Sequence, residues 1–157
     1  MTEIEKAFQL PTNTEIVLKI GEIIWKKTEL SDDNYSNLSE AERVFVFVDI
    51  LEGQVNNGGF DQFFFNSSGE YTYEIVSAYE AINAYKTAEL VKSAIKLFPV
   101  SPVPKDTVTR REAMQNLEER ISEEWDKLDT IFYGNNENVA DLLLEYIKTN
   151  AEMIRKQ

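Results

Sequence analysis

The sequence contains no cysteine and no histidine. Without cysteine there is no disulfide, no thiolate nucleophile and no thiolate metal ligand. Without histidine there is no Ser-His-Asp triad, no ordinary zinc site and no side chain whose usual pKa suits proton transfer near neutral pH. A helical di-iron centre of the Glu-x-x-His kind is excluded for the same reason. Long apolar runs are also missing; none approaches the roughly 20 residues that a membrane-spanning helix needs. The opening Met1-Thr2-Glu3-Ile4-Glu5 has no basic stretch leading into an apolar one, so no signal peptide is expected and a cytoplasmic location is the default expectation. Proline is sparse, and three of the four prolines crowd the stretch from Phe98 to Lys105, which reads as a rigid loop.

Basic residues are missing from one part of the chain in particular. From Thr28 to Tyr85 there are eleven acids and a single base, Arg43, so this stretch carries −10 of the total −12, while the remainder is nearly balanced. Such a field repels nucleic acid and anionic membranes and attracts basic partners. The acids concerned are Glu29, Asp32, Asp33, Glu40, Glu42, Asp49, Glu52, Asp61, Glu70 and Glu74, with Glu80 beyond them. The plainer alternative is that the charge only keeps the chain in solution.

What is present is enough apolar and aromatic material, 43% and 11% of residues, to build a core, and 157 residues suit one domain spanning 1–157. The spacing predicts a helix over about Thr14 to Lys27, with Ile16, Ile20, Ile23 and Ile24 on one stripe. Ser39-Glu40-Ala41-Glu42 fits a capping box at the start of a second helix, the expected centre of the fold, running through Val44, Val48 and Leu51 to Val55. Its Val44–Val48 run also suits a buried strand. Asn56-Asn57-Gly58-Gly59 should end that helix, with a short aromatic helix from Phe60 to Phe65. Further helices are expected over Tyr71 to Tyr85, from a cap at Thr87 to Phe98, over Thr107 to Phe132, and from Asn138 onward. The fold class is therefore all-α, a compact bundle of about six or seven helices.

The stretch from Leu51 to Gly69 resembles the signature of a bacterial family of unknown function that includes a nineteen-kilodalton DNA mimic protein. The residues that carry the resemblance are Asn56, Asn57, Gly58, Gly59, Phe60, Gln62, Asn66 and Gly69, in the pattern NNGGF-x-Q-x-F-x-N-S-x-G. The likeness extends over about Ser39 to Asn150. It implies an all-α fold, a homodimer and, for one member, a surface imitating duplex DNA that occupies the DNA-binding face of a transcription regulator. The signature itself reads as structural: turn-forming Asn and Gly, and core Phe.

Mimicry needs carboxylates in rows. Helical neighbours three or four residues apart, at roughly 5–6 Å between Cβ atoms, approach the repeat of phosphates along a strand. Asp49 with Glu52 and Glu70 with Glu74 have such spacing. So do Glu119, Glu123 and Asp126, but Arg120 and Lys127 stand among them and lower their rank. The expected function is a non-catalytic acidic interaction protein that binds a basic partner, a DNA-binding regulator being the candidate, with no direct nucleic-acid or membrane contact. Carboxylates could serve glycoside hydrolysis or hold Mg²⁺, but Glu-rich helices without His are ordinarily surfaces. No catalytic residue, metal or cofactor is expected. The alternative is a small-ligand site, in a binding protein or an enzyme, using a pocket near the Asn-Asn-Gly-Gly turn with Asn56, Asn57 and Gln62 in its wall.

Overall fold

A computed structural model describes residues 1–29, 35–134 and 137–155. These form nine α-helices and one 3₁₀ turn, with no strand among the described residues. The helices are α1 (Glu3–Ala7), α2 (Asn13–Thr28), α3 (Glu40–Phe65), α4 (Thr72–Ala81), α5 (Tyr85–Leu97), α6 (Thr107–Met114), α7 (Glu119–Tyr133), α8 (Val139–Thr149) and α9 (Ala151–Arg155). The 3₁₀ turn, Ser67–Tyr71, joins α3 to α4.

The all-α expectation holds, while the helix count exceeds the expected six or seven for identifiable reasons. Thr2 and Glu5 make a capping box that starts α1, a pattern present in the sequence but not used. The single helix expected over Thr107 to Phe132 is two, because Gln115 to Glu118 leave helical geometry between α6 and α7. Met114, Leu117, Ile121 and Trp125 keep the same apolar period across the break, so periodicity alone could not reveal it. The last helix divides at Asn150, which closes α8 by giving both its backbone N–H, at 3.0 Å, and its side-chain amide, at 2.9 Å, to Tyr146 O.

The helix expected to reach Tyr85 stops at Ala81. Asn83 there adopts φ 65°, the left-handed conformation that asparagine tolerates at helix ends. Thr87 does not cap α5, which begins two residues earlier. Instead the Glu137 carboxylate accepts from Thr87 N at 2.9 Å and Thr87 Oγ1 at 2.8 Å, covering the α5 amino end from a distant part of the chain.

Helix α3 is the centre. It touches α2, α4, α6, α7, α8, α9 and the 3₁₀ turn. Ala41, Val44, Phe45, Val46, Phe47, Val48, Leu51 and Val55 are all buried along it. A helix covered all round needs no polar face, which is why the Val44–Val48 run, strand-like in composition, is helical. Its start is as expected: Ser39 Oγ accepts from Glu42 N and Glu42 Oε1 accepts from Ser39 N.

Helix α7 lies against α3 and α5. Trp125 fixes it there, 1% exposed, stacked on Phe64 with centroids 5.0 Å apart and donating from its indole N–H to Ala94 O at 3.1 Å.

Candidate functional site

The Asn-Asn-Gly-Gly segment ends the first helical run of α3, as expected, at a kink of non-helical Gly58 and Gly59. Gly59 has φ 75° and ψ −175°, a region essentially reserved for glycine. Downstream the helix restarts, and its exposed amino end is covered from outside: the Asp129 carboxylate on α7 accepts from Phe60 N at 2.9 Å. The same carboxylate occupies the space where a Gly59 side chain would be. Helix α7 is thereby positioned on the break.

Four side-chain amides span the bend. Asn57 Nδ2 donates to Gln62 Oε1 at 3.0 Å, and Gln62 Nε2 donates to Gln54 Oε1 at 2.9 Å. Asn66 Nδ2 donates to the same Gln54 oxygen at 3.0 Å.

At the carboxyl end of α3, Arg110 is fully buried. Its guanidinium donates to Phe64 O at 2.6 Å, Asn66 O at 2.7 Å, Lys105 O at 2.9 Å, Pro104 O at 3.1 Å and Thr107 Oγ1 at 3.2 Å. A fixed cation at a helix carboxyl end satisfies orphan carbonyls and complements the dipole. Gly69 leaves room for it, since a Cβ there would run into the guanidinium and Phe64 O. Arg111 donates to Phe65 O at 2.7 Å and lies 4.3 Å above the Phe65 ring. Arg110 and Arg111 are thus both committed to carbonyls at the end of α3. These anchors give a physical reason for the break before α7: Arg110 and Arg111 tie α6 to one end of α3, and Asp129 ties α7 to the bend.

The described acids of the Thr28–Tyr85 stretch meet different partners. Asp32 and Asp33 lie outside the described residues. Glu42 is removed from the candidate surface: it is fully buried, caps α3 and pairs with Lys27. Asp49 is exposed but accepts from the Trp25 indole at 2.7 Å. Glu52 is half-buried and accepts from the Tyr79 hydroxyl at 2.8 Å. Glu74 pairs with Lys105 at 2.8 Å and Glu80 with Lys92 at 3.5 Å. Glu29, Glu40 and Asp61 are exposed, and Glu70 is half-buried. Glu40 acts electrostatically on Tyr146, and Glu70 on Tyr35 and Arg110. Among the described acids, Asp49 acts on Glu52, while Glu42, Glu74 and Glu80 are each paired with a lysine.

A more ordered set lies on α7. Glu119, Glu123 and Asp126 are exposed, four and then three residues apart, so they follow one face. The two bases expected to neutralise them pair elsewhere. Arg120 meets Glu118 at 3.4 Å, and Lys127 meets Glu124 at 2.9 Å, although Lys127 also feels Glu123. These are solvent-exposed pairs and hold little energy. Asp126 and Asp61 both raise the pKa of Asp129, so each lies within electrostatic reach of that carboxylate. The spacing of the α7 row was legible in the sequence.

Two carboxylates in this region are raised above their ordinary pKa. Glu52 is raised first by burial and then by Asp49, against the Tyr79 hydrogen bond. Asp129 is raised first by burial and then by Asp126 and Asp61, against the Phe60 N–H. Each binds protons more readily folded than unfolded, so each adds stability as pH falls from above its raised pKa towards the ordinary carboxylate range. The urea midpoint is expected to rise between neutral pH and about pH 5. Glu52→Gln, which keeps an acceptor for Tyr79, should raise the midpoint at neutral pH and flatten that slope. A Glu52→Gln chain with the wild-type slope would contradict the assignment.

The ligand-pocket alternative is altered by the structure. A cleft of about 490 Å³ does open beside the bend, lined by Glu52, Asn56, Phe132, Tyr133 and Glu137 among others. Asn57 and Gln62 are not in its lining; they bond to each other. Among the described residues, no group of three or more acidic side chains is arranged to hold a metal. No helix of the described residues is long and apolar enough to cross a membrane.

A family model described as DMP19-like protein matches residues 36–150. No curated protein and no solved structure matches the chain.

Proposed function

Because this chain belongs to the DMP19-like protein family, we propose that it is a non-catalytic acidic interaction protein, a DNA mimic whose carboxylate face docks against the DNA-binding surface of a basic partner. The supporting observation is the exposed row Glu119–Glu123–Asp126, with the bases of α7 paired to Glu118 and Glu124; exposed Asp61 acts, as Asp126 does, on Asp129. The row stands on a helix held by Trp125 in the core and by Asp129 at the bend. Its charges are thus presented by a rigid element, which docking to a fixed basic surface requires. The partner class is a DNA-binding regulator, and pairing of two copies of this chain, placing two such rows on one particle, belongs to the same reading.

The test is capture from a cell lysate on the immobilised protein at low salt, followed by separate challenges with salt and with duplex DNA. The reading predicts retention of a basic, DNA-binding protein that both challenges release, because screening and competition act on the same contacts. Retention of no basic protein, or a retained one that neither challenge displaces, would contradict it.

A further inference from the structure

Among the residues left over from this account, the sequence pair Asn57-Gly58 has its own chemistry. It is the sole Asn-Gly pair in the chain. Both residues are exposed; Gly58 belongs to the interruption of helical geometry within α3, and Asn57 is the helical residue just before it. We propose that Asn57 is a site of spontaneous deamidation, held in check by the hydrogen bond that its amide gives to Gln62.

In this reaction the Gly58 backbone nitrogen loses its proton and attacks Asn57 Cγ. A nitrogen–carbon bond forms, the Cγ–Nδ2 bond breaks, and Nδ2 departs as ammonia with the proton. Water then opens the resulting five-membered imide at either carbonyl, leaving aspartate or isoaspartate. Attack is least hindered when the following residue has no side chain, and here any larger residue would force Gln62 to shift. A Cβ on Gly58 would come within 2.7 Å of Gln62 Cδ and 2.8 Å of Gln62 Cβ, and nearer still to Gln62 Oε1. The packing that brings Gln62 close enough to hold Asn57 is thus the packing that favours the vulnerable glycine.

Two features restrain the reaction in the folded chain. Helical backbone at Asn57 keeps the Gly58 nitrogen away from Cγ. The bond from Asn57 Nδ2 to Gln62 Oε1, at 3.0 Å, holds the leaving amide in place. Gln62 is itself held, through Nε2, by Gln54. Conversion of Asn57 to a carboxylate would set it against Gln62 Oε1 and force the amide chain to reverse its donors and acceptors. It would also add a negative charge at the bend, four residues before Asp61.

The experiment is a time course at mildly alkaline pH, with each deamidated position located by peptide mass mapping. It compares wild type folded, wild type in urea, Gln62→Ala and Gln62→Glu. The Glu variant keeps an oxygen for Asn57 Nδ2 while losing the donor to Gln54. Conversion at Asn57 is expected in the unfolded chain, slowly in the folded wild type, and roughly fivefold faster than that in Gln62→Ala, the effect of losing one net hydrogen bond. Gln62→Glu should stay near the folded wild-type rate, and Asn56, followed by a bulkier residue, should stay intact throughout. Absence of conversion at Asn57 in urea would overturn the site. Equal folded rates in wild type and Gln62→Ala, or equal acceleration in the Ala and Glu variants, would overturn the guarding role. Circular dichroism identifies a variant that has unfolded, and comparison of folded wild type with the urea sample still decides whether the native bend restrains Asn57.

Discussion

Replacing Arg110 with alanine is expected to destabilise the protein by about 4 kcal/mol, lowering its thermal midpoint by ~10 °C or more. A guanidinium has five N–H groups, and here each finds an oxygen: four carbonyls and the Thr107 hydroxyl. Burial lowers the pKa of Arg110, with Arg111 adding to the effect and Glu70 and Asp106 opposing it. The charge is thus tolerated inside because its hydrogen bonds are complete. Alanine leaves carbonyls at the end of α3 buried without donors and opens a cavity between α6 and the 3₁₀ turn. Arg110→Lys keeps the charge but cannot fan out to the same acceptors, so it should fall between wild type and alanine. Thermal and urea unfolding followed by circular dichroism measures both variants. An Arg110→Ala protein within about 1 kcal/mol of wild type would mean that water replaces the guanidinium at little cost.

Gly59→Ala is the second large effect, expected at about 3 kcal/mol or more. Two costs coincide there. A positive φ paired with an extended ψ is strained for any L side chain, and the new methyl group would overlap the Asp129 carboxylate. The two separate in a double-mutant cycle. Asp129→Ala alone should cost about 1 kcal/mol, the value of a lost helix cap. In that background Gly59→Ala should cost less than it does in wild type, because the steric part has gone while the backbone part remains. Strict additivity would place the whole penalty in the backbone.

These two positions also show how far the sequence could be read. Ser39, Glu42 and the apolar period behind them specify the start and direction of α3 locally, and that part was legible. The break at Gly58-Gly59 was legible too, because glycine after asparagine announces a departure from helix. What covers the break was not. Asp129 reaches Phe60 N across 69 positions, Glu137 reaches Thr87 across 50, and Arg110 reaches Phe64 across 46. Caps supplied from a distance leave no pattern near the residues they serve. The split between α6 and α7 was hidden for a related reason: the apolar spacing runs through it, and only the tertiary anchors on either side require it.

The same division applies to the charges. Counting acids located a strongly negative stretch, but a count cannot tell Glu42, buried against Lys27, from Glu40, exposed two positions earlier. Nor can it tell which acid a neighbouring base will choose. Arg120 and Lys127 looked like neutralisers of the α7 row and instead meet Glu118 and Glu124. Spacing along one helix was readable; the approach of Asp129 to the bend depended on a glycine with no side chain in the way.

The most direct measurement is the affinity of the captured partner for the chain carrying Glu119→Gln, Glu123→Gln, Asp126→Asn and Asp61→Asn together, titrated at several salt concentrations beside wild type. A control with Glu118→Gln and Glu124→Gln removes paired acids from the same helix. The account predicts that the fourfold variant loses about tenfold or more in affinity and much of its salt dependence, while the control stays near wild type. A fourfold variant that binds as tightly as wild type, with the same response to salt, would contradict the claim that this row is what the partner meets.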